Sequence, residues 1–440
     1  FNPNPFLLSS LTTHKNFSFK ISNIDEDIFW NKKPIKKEEE NLHNFLWLNL
    51  IDRKNDSLTI QKIINVWIYK NSKYKNIIWD NSVICKRLIS WILNTDIILN
   101  NTNNIFKNDL FNSIIIQINH LKKNIKFENN YSKKIEIVSA ILLSGLVFKD
   151  YSENYEIGIK ELKKIIDNTF DKNGFPVSRN PGDLIKYSKY LIVIKECIND
   201  AQQFIPDYLE EIINKNLKCI GNIITPRKEL PLFNGAIENN LEKYLSYLKS
   251  LKYKISKSDD IIGQIQIIKS KKSYLYFDVG EPPKKNESDN YQSGPLSFEY
   301  FLDNEKIISN CGFGRNISNK AKLLSRLTSA QSTLVINDHS AVKFERNAMI
   351  NKAFGNSIKN NFKILNFNYV NNDNLFITSA SHNAYEKKFG YIVKRELKIN
   401  KNNDVLSGCD SLIKTKQNSK INFNIRFHLY PGISAVKTMS

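Results

Sequence analysis

The feature that most limits what this chain can fold into is a change of apolar rhythm near Ser256. From about residue 57 to 255, apolar side chains recur at helical spacing. Ile60, Ile63, Ile64, Trp67 and Ile68 follow Ser57-Leu58-Thr59 at i, i+3, i+4, i+7 and i+8, one face of a helix. Asp80, Asn81 and Ser82 offer caps to a helix bearing Val83, Ile84, Leu88, Ile89, Trp91 and Ile92. Further helices are predicted over about 105–124, 134–148, 154–169, 182–198 and 206–224, and the short connections predict antiparallel hairpins of helices. After 256 the runs are short, alternating and separated by polar turns. Gln264 to Ile268 and Ser273 to Val279 flank a Lys-Ser-Lys-Lys turn, with Gly263 just before the first run. Leu296 to Leu302 and Lys306 to Asn310 flank Asp303-Asn304, a hairpin signal. Ser332 to Ile336, Phe362 to Tyr369, Leu375 to Ala380, Tyr391 to Ile399, Asp404 to Leu412 and Ile421 to Tyr430 continue the pattern. The expected class is α+β in two domains, helical over 1–255 and antiparallel β over 256–440, with two-sided apolar strands that suggest stacked sheets. Before residue 57 the chain reads as irregular, with a short strand at Phe17 to Ile21 and an apolar anchor at Ile28-Phe29-Trp30.

A chain of 440 residues exceeds one ordinary core, which agrees with two domains. The net charge of +20 has two readings: an acidic partner, or a composition rich in Lys, Asn and Ile throughout. Lys and Arg form no dense block with interleaved aromatics, so nucleic acid is not the expected partner. The five cysteines, Cys85, Cys197, Cys219, Cys311 and Cys409, show no C-x-x-C spacing and mostly adjoin apolar residues, which predicts buried thiols. No apolar run approaches the roughly 18 residues of a membrane span. The six histidines have no ligand-like spacing, so neither a metal nor a cofactor is expected. The first residue is Phe, and the chain reads as part of a longer protein. The five tryptophans, at 30, 47, 67, 79 and 91, are expected in the helical core, with sugar stacking as the alternative for one or two.

Candidate functional residues lie in turns. Asp171 to Leu184 (D-K-N-G-F-P-V-S-R-N-P-G-D-L) breaks the helical half. Asn180-Pro181 suits a helix start, which explains Asn180 but not Arg179. The functional reading has Arg179 and Asn180 binding a carboxylate or sulfate at a helix N-terminus. Asn234-Gly235 is an ordinary turn dipeptide and also a candidate. Asp289 to Pro295 is a loop before a strand, and Gln331, Asp338 and His339 flank the strand Ser332 to Ile336. A histidine in an N-D-H-S turn is ordinarily just exposed, and His428 reads as a satisfied structural histidine within a strand.

Six stretches in order resemble the heparinase II/III-like family, particularly a bacterial branch of it. They are W-D-N-S-V-I-C-K-R-L-I-S-W (79–91), D-K-N-G-F-P-V-S-R-N-P (171–181), L-P-L-F-N-G (230–235), Y-F-D-V-G-E-P-P (276–283) with G-P-L-S-F-E (294–299), S-A-Q-S-T-L-V-I-N-D (329–338) and R-F-H-L-Y-P-G (426–432). The resemblance implies an incomplete (α/α) toroid of helical hairpins followed by an antiparallel β-sandwich. It also implies a polysaccharide lyase performing β-elimination on an acidic, uronate-containing chain held between the domains. In that chemistry a donor neutralises the C5 carboxylate, a base removes the C5 proton and an acid protonates O4. Arg179, Asn180, Asn234, Gln292 and Gln331 are the implied substrate-binding residues, and Tyr187 and His339 the implied proton-transfer residues, although Tyr187 and Tyr190, which both follow the Asp171 to Leu184 stretch, are equally well explained by helix packing. The family's active lyases carry a G-H-x-H-x-D-like element before the L-S-F strand, where this sequence has Asn290, Gln292 and Gly294. A further family histidine before S-T is Gln331 here. Amides bind carboxylates but do not act as general bases at neutral pH. The alternative implied by the resemblance is therefore a glycan-binding or envelope-associated protein without catalysis. The family points to the cell envelope or periplasm, while unpaired cysteines are compatible with a reducing cytoplasm.

Overall fold

The computed structural model describes residues 3–12, 30, 36–51, 57–256, 260–347, 349, 357–416 and 420–436. The expected strand at Phe17 to Ile21 and the pair Ile28-Phe29 lie outside the described residues. The chain packs as two compact units, one of residues 1–168 and 186–213, the other of 169–185 and 214–440.

In the first unit the helical stripes become helices α1 (Ser57–Asn71), α2 (Asn81–Leu93), α3 (Asn104–Asn124), α4 (Tyr131–Val147) and α5 (Glu153–Thr169), and α6 (Pro181–Asp200) begins in the second unit and runs on in the first. Helix α7 (Asp207–Ile223) begins here and ends in the second unit. Each predicted helix is present within a few residues of its expected ends. Asp80 caps α2 by accepting the Ser82 N–H, and Asn103 and Asn130 cap α3 and α4 in the same way. Helices α2 and α4 are buried over most of their faces, as expected of an inner layer wrapped by amphipathic neighbours. Trp47, Trp67, Trp79 and Trp91 are buried. Trp67, Trp91 and Phe45 meet edge to face at 5.2–5.8 Å. Arg87 of α2 is fully buried over the Trp67 ring. It donates to Gln117 Oε1 (2.7 Å) and to the carbonyls of His43 (2.9 Å) and Ile78 (3.2 Å), and burial lowers its pKa to about 9.

The second unit is an antiparallel sandwich. One sheet has the order β1-β2-β3-β4-β5-β12, with β1 Ile261–Ile262, β2 Ile265–Lys269, β3 Ser273–Asp278, β4 Phe298–Leu302, β5 Glu305–Ser309 and β12 His428–Leu429. The other has the order β10-β9-β8-β7, with β7 Ile364–Asn371, β8 Leu375–His382, β9 Tyr391–Asn400 and β10 Val405–Lys414. Leu275, Phe277 and Phe298 of the first sheet pack against Phe376, Ala380, Leu397 and Ile399 of the second. Asp303 and Asn304 both have positive φ (49° and 69°), which closes the predicted hairpin of β4 and β5. The run Ile421 to Tyr430, read as one strand, is two. Phe423–Ile425 (β11) pairs with Leu334–Ile336 (β6), whereas His428 and Leu429 pair with β5. Arg426 and Phe427 carry the chain from one ladder to the other. Cys85, Cys197 and Cys219 are buried as expected, whereas Cys311 and Cys409 are exposed. No helix among the described residues is long and apolar enough to cross a membrane.

Candidate functional site

The stretch from Thr169 to Ile185 packs with the second unit. It opens as a miniature hairpin in which Val177 N–H donates to Thr169 O and Asp171 N–H to Phe175 O. Asp171 Oδ1 accepts the N–H groups of Asn173 and Phe175 and shapes the bend. Phe175 is fully buried, and its ring lies where a Cβ on Gly263 would approach to 2.3 Å. Gly263 (φ +56°) and Gln264 (φ +61°) form the two-residue turn between β1 and β2, so Gly263 answers both a backbone and a space requirement. Asn180 starts α6 as expected: its Oδ1 accepts the Gly182 N–H at 2.8 Å, with Pro181 in the first helical position.

Arg179 precedes this cap with φ +59° and is 5% exposed. Its side chain does not project into solvent. It pairs with Asp278 at the end of β3, and donates to the carbonyls of Glu281 (3.0 Å), Gly263 (3.2 Å) and Gln264 (3.4 Å). Asp278 Oδ1 also accepts the Gly280 N–H at 3.0 Å. Burial raises the Asp278 pKa, opposed by the Arg179 charge and by hydrogen bonds from Arg179 and Gly280; the nearby Asn234 amide also holds it down. Asp278 was not singled out from sequence, although it lies inside the Y-F-D-V-G stretch. Strand alternation gave no cue, because both faces of β3 are buried.

Asn234 and Gly235 (φ +53° and +100°) form a turn closed by Ala236 N–H donating to Phe233 O. A Cβ on Gly235 would lie 2.7 Å from Asn290 Cβ and 3.0 Å from Asn180 Nδ2. The Gly235 N–H donates to Gln292 Oε1 at 2.9 Å, while Gln292 Nε2 donates to the carbonyls of Gly312 and Ser325, both at 2.8 Å. Gln331 Nε2 donates to the same Ser325 carbonyl at 2.9 Å. Arg179, Asn180, Asn234, Gln292 and Gln331 are thus joined through Asp278, Gly235 and Ser325 into one buried polar cluster of this unit. Two of its donors stand without a hydrogen-bond partner, Asn234 Nδ2 and the Tyr291 hydroxyl. Asn234 stands beside Asp278 and helps to hold the Asp278 pKa down. Tyr291 is buried beside Asp278 and Arg179, and burial pushes its phenol pKa far up, so the group is a neutral donor.

Of the two proton-transfer residues implied by the resemblance, Tyr187 belongs to the first unit and His339 to the second. His339 follows a turn with positive φ at Asn337 and Asp338 and is exposed. Its Nδ1 lies 2.7 Å from Asn337 O, its carbonyl accepts the Tyr385 hydroxyl, and its ring meets Phe389. It shares none of these contacts with the polar cluster. Tyr187 is 3% exposed on α6, in the first unit. His428 is half-buried, with Nε2 3.1 Å from Ser329 O, in keeping with a satisfied histidine.

Residues 261–440 match the family described as Heparinase II/III-like, C-terminal. No curated protein matches the sequence. Solved structures are similar in fold, two of them as follows. A heparan sulfate lyase HepC mutant from Pedobacter heparinus has a TM-score of 0.65 at 14% identity, covering 97% of this chain and 71% of that one. A heparinase III has a TM-score of 0.64 at 13% identity, covering 97% and 72%. The helical first unit, the sandwich of the second and the matched segment converge: this chain has the toroid-plus-sandwich fold of the heparinases, and its residues 261–440 belong to the heparinase II/III-like C-terminal family.

Proposed function

We propose that this chain is a polysaccharide lyase that cleaves an acidic, uronate-containing polysaccharide by β-elimination. The family match over residues 261–440 carries the reading. The neighbours of like fold, a heparan sulfate lyase and a heparinase III, support the substrate class. In the reaction a base takes the C5 proton, the electron pair forms the C4–C5 double bond, the C4–O4 bond breaks, and an acid protonates O4. The C5 proton is too weakly acidic until a donor neutralises the uronate carboxylate. Asn234 is the proposed neutraliser, because its amide is a buried donor without a partner. Tyr291 offers a second unpartnered donor beside it. Arg179 and Asp278 are positioning residues that fix these loops. Asn234 is 2% exposed and Tyr291 1%, so the reading requires the Phe233–Ala236 turn to move when substrate binds. Tyr187 is the proposed base and His339 the proposed acid. The test incubates the full chain with heparan sulfate, heparin and alginate and follows the ultraviolet absorbance of the unsaturated product. The reading expects a rise with at least one of them, lost in Asn234→Ala, Tyr187→Phe and His339→Ala. A rise unaffected by all three substitutions overturns the site assignment.

A second reading, glycan binding without cleavage, is favoured by one observation. Gln292 and Gln331 occupy positions where the family resemblance places histidines, and both amides are tied to the Ser325 carbonyl. An amide takes up no proton at neutral pH. Retained binding with no unsaturated product from any uronate polysaccharide would select this reading.

A further inference from the structure

Two adjoining hollows open on the first unit, where the turn after α1 meets the end of α3. One, of about 460 Å³, is walled by Tyr74, Trp79, His120 and Phe127, with amides from Asn76, Asn81 and Asn124 and the carboxylates of Asp80 and Glu128. The other, of about 670 Å³, shares Phe127 and is lined by Lys122, Lys123 and Lys126. Tyr74 is 64% exposed and Phe127 80%, and the two rings wall the same hollow. The ring of His120 lies 6.2 Å from that of Tyr74 and 5.5 Å from that of Trp79. Asn124 Nδ2 donates to Asn81 Oδ1 at 3.1 Å and lies 2.7 Å from His120 Nε2, which fixes the amide against the ring. Trp79 is held from behind by its Nε1–H on Asn71 O.

A closed apolar core would leave out the amides, and a plain basic surface would leave out the exposed rings. The three features together match one ligand chemistry. The C–H face of a pyranose lies on an aromatic ring, hydroxyls pair with fixed amides, and carboxylate or sulfate groups meet ammonium groups. We propose that this groove is a carbohydrate-binding site for an acidic oligosaccharide. A sugar ring stacks on Phe127 and Tyr74, its hydroxyls pair with the Asn76 amide, Asn124 Oδ1 and the Asp80 and Glu128 carboxylates of the first hollow, and its acidic substituents lie in the second, against Lys123 and Lys126. The ligand class rests on the function proposed above, but none of these residues belongs to the polar cluster of Asn234 and Asp278.

The test measures binding of a short heparin oligosaccharide to the full chain by calorimetry, with Trp79 emission as a second signal. A neutral cello-oligosaccharide and a DNA oligonucleotide serve as controls. Tyr74→Ala/Phe127→Ala is expected to weaken heparin binding about tenfold or more. Lys123→Glu/Lys126→Glu is expected to weaken it and flatten its salt dependence. All four side chains are on the surface, and unchanged circular dichroism shows that the variants fold. Unchanged affinity in the aromatic variant overturns the proposal, as does DNA binding equal to heparin binding and equally insensitive to the aromatic change. Product absorbance is read on the same samples. Product formation with variant-insensitive binding sinks this inference alone, whereas variant-sensitive binding without product sinks the lyase reading alone.

Discussion

Asp278→Asn removes one charge and keeps the size of the side chain. In the native protein Arg179 is 5% exposed and Asp278 1%, so neither reaches bulk water. After the substitution the guanidinium retains the carbonyls of Glu281, Gly263 and Gln264 at 3.0, 3.2 and 3.4 Å. These satisfy N–H groups but leave the charge unopposed. Breaking a buried pair from one side costs about 3–5 kcal/mol, and the retained acceptors place this case near the lower end. Arg179→Met acts differently. Burial already raises the Asp278 pKa against the Arg179 charge, and without Arg179 the carboxyl goes neutral instead of remaining a buried charge. A carboxyl with a raised folded pKa adds stability below its unfolded value of about 3.9, and this is lost as pH rises through the folded value. Arg179→Met is therefore expected to be more destabilised at pH 7 than at pH 5. The double variant Arg179→Met/Asp278→Leu should recover most of the single-variant loss. Urea unfolding should be followed by the β-sheet signal in circular dichroism. Tryptophan emission is the wrong probe, since residues 30, 47, 67, 79 and 91 all lie in the first unit. A loss below about 1 kcal/mol for Asp278→Asn would refute the argument that this pair fixes the site.

Acid should destabilise both units before the carboxylates titrate. Burial lowers the pKa of His43 and of His382 to about 3, aided by Arg87 and Lys75 at the first and Arg395 at the second. His43 Nδ1 accepts the Trp67 Nε1–H, which requires that nitrogen to be bare. The unfolded imidazole takes a proton near pH 6.5 and the folded one does not, so stability falls from about pH 6.5 towards pH 3, by about 1.4 kcal/mol per histidine at pH 5.5. A flat stability profile between pH 7 and pH 5, or one unchanged in His382→Phe, contradicts this. Gly263→Ala places a Cβ 2.3 Å from the Phe175 ring at positive φ and should cost about 2–3 kcal/mol, read as a lowered Tm. An unchanged Tm would mean that Phe175 has another seat. Gln292→Leu removes the acceptor of Gly235 N–H and the donor to Gly312 O. It should cost about 2–3 kcal/mol in denaturant melts, and a neutral outcome would count against the cluster as described.

Local signals in the sequence were enough for the elements. The stripe Ile60, Ile63, Ile64 and Trp67 is buried on α1, and Asp303-Asn304 turns where turn chemistry requires it. Asn180 caps α6 because capping depends on residues one or two positions away. The fate of Arg179 was not legible, because its partners stand at 263, 264, 278 and 281 and no local pattern encodes such a pairing. For the same reason turn chemistry identified Asn234 but not the orphaned state of its amide, which depends on how Asp278 and Tyr291 are placed around it. The split of Ile421 to Tyr430 was hidden because both halves alternate, and only pairing with two different strands separates them.

Mass spectrometry of the products from heparan sulfate or another uronate polysaccharide tests the central claim most directly, because elimination and hydrolysis differ by one water. The account predicts fragments with an unsaturated non-reducing end, lighter by one water than the hydrolysis products. Hydrolytic fragments, or no fragments from any uronate polysaccharide with the folded full chain, would contradict it.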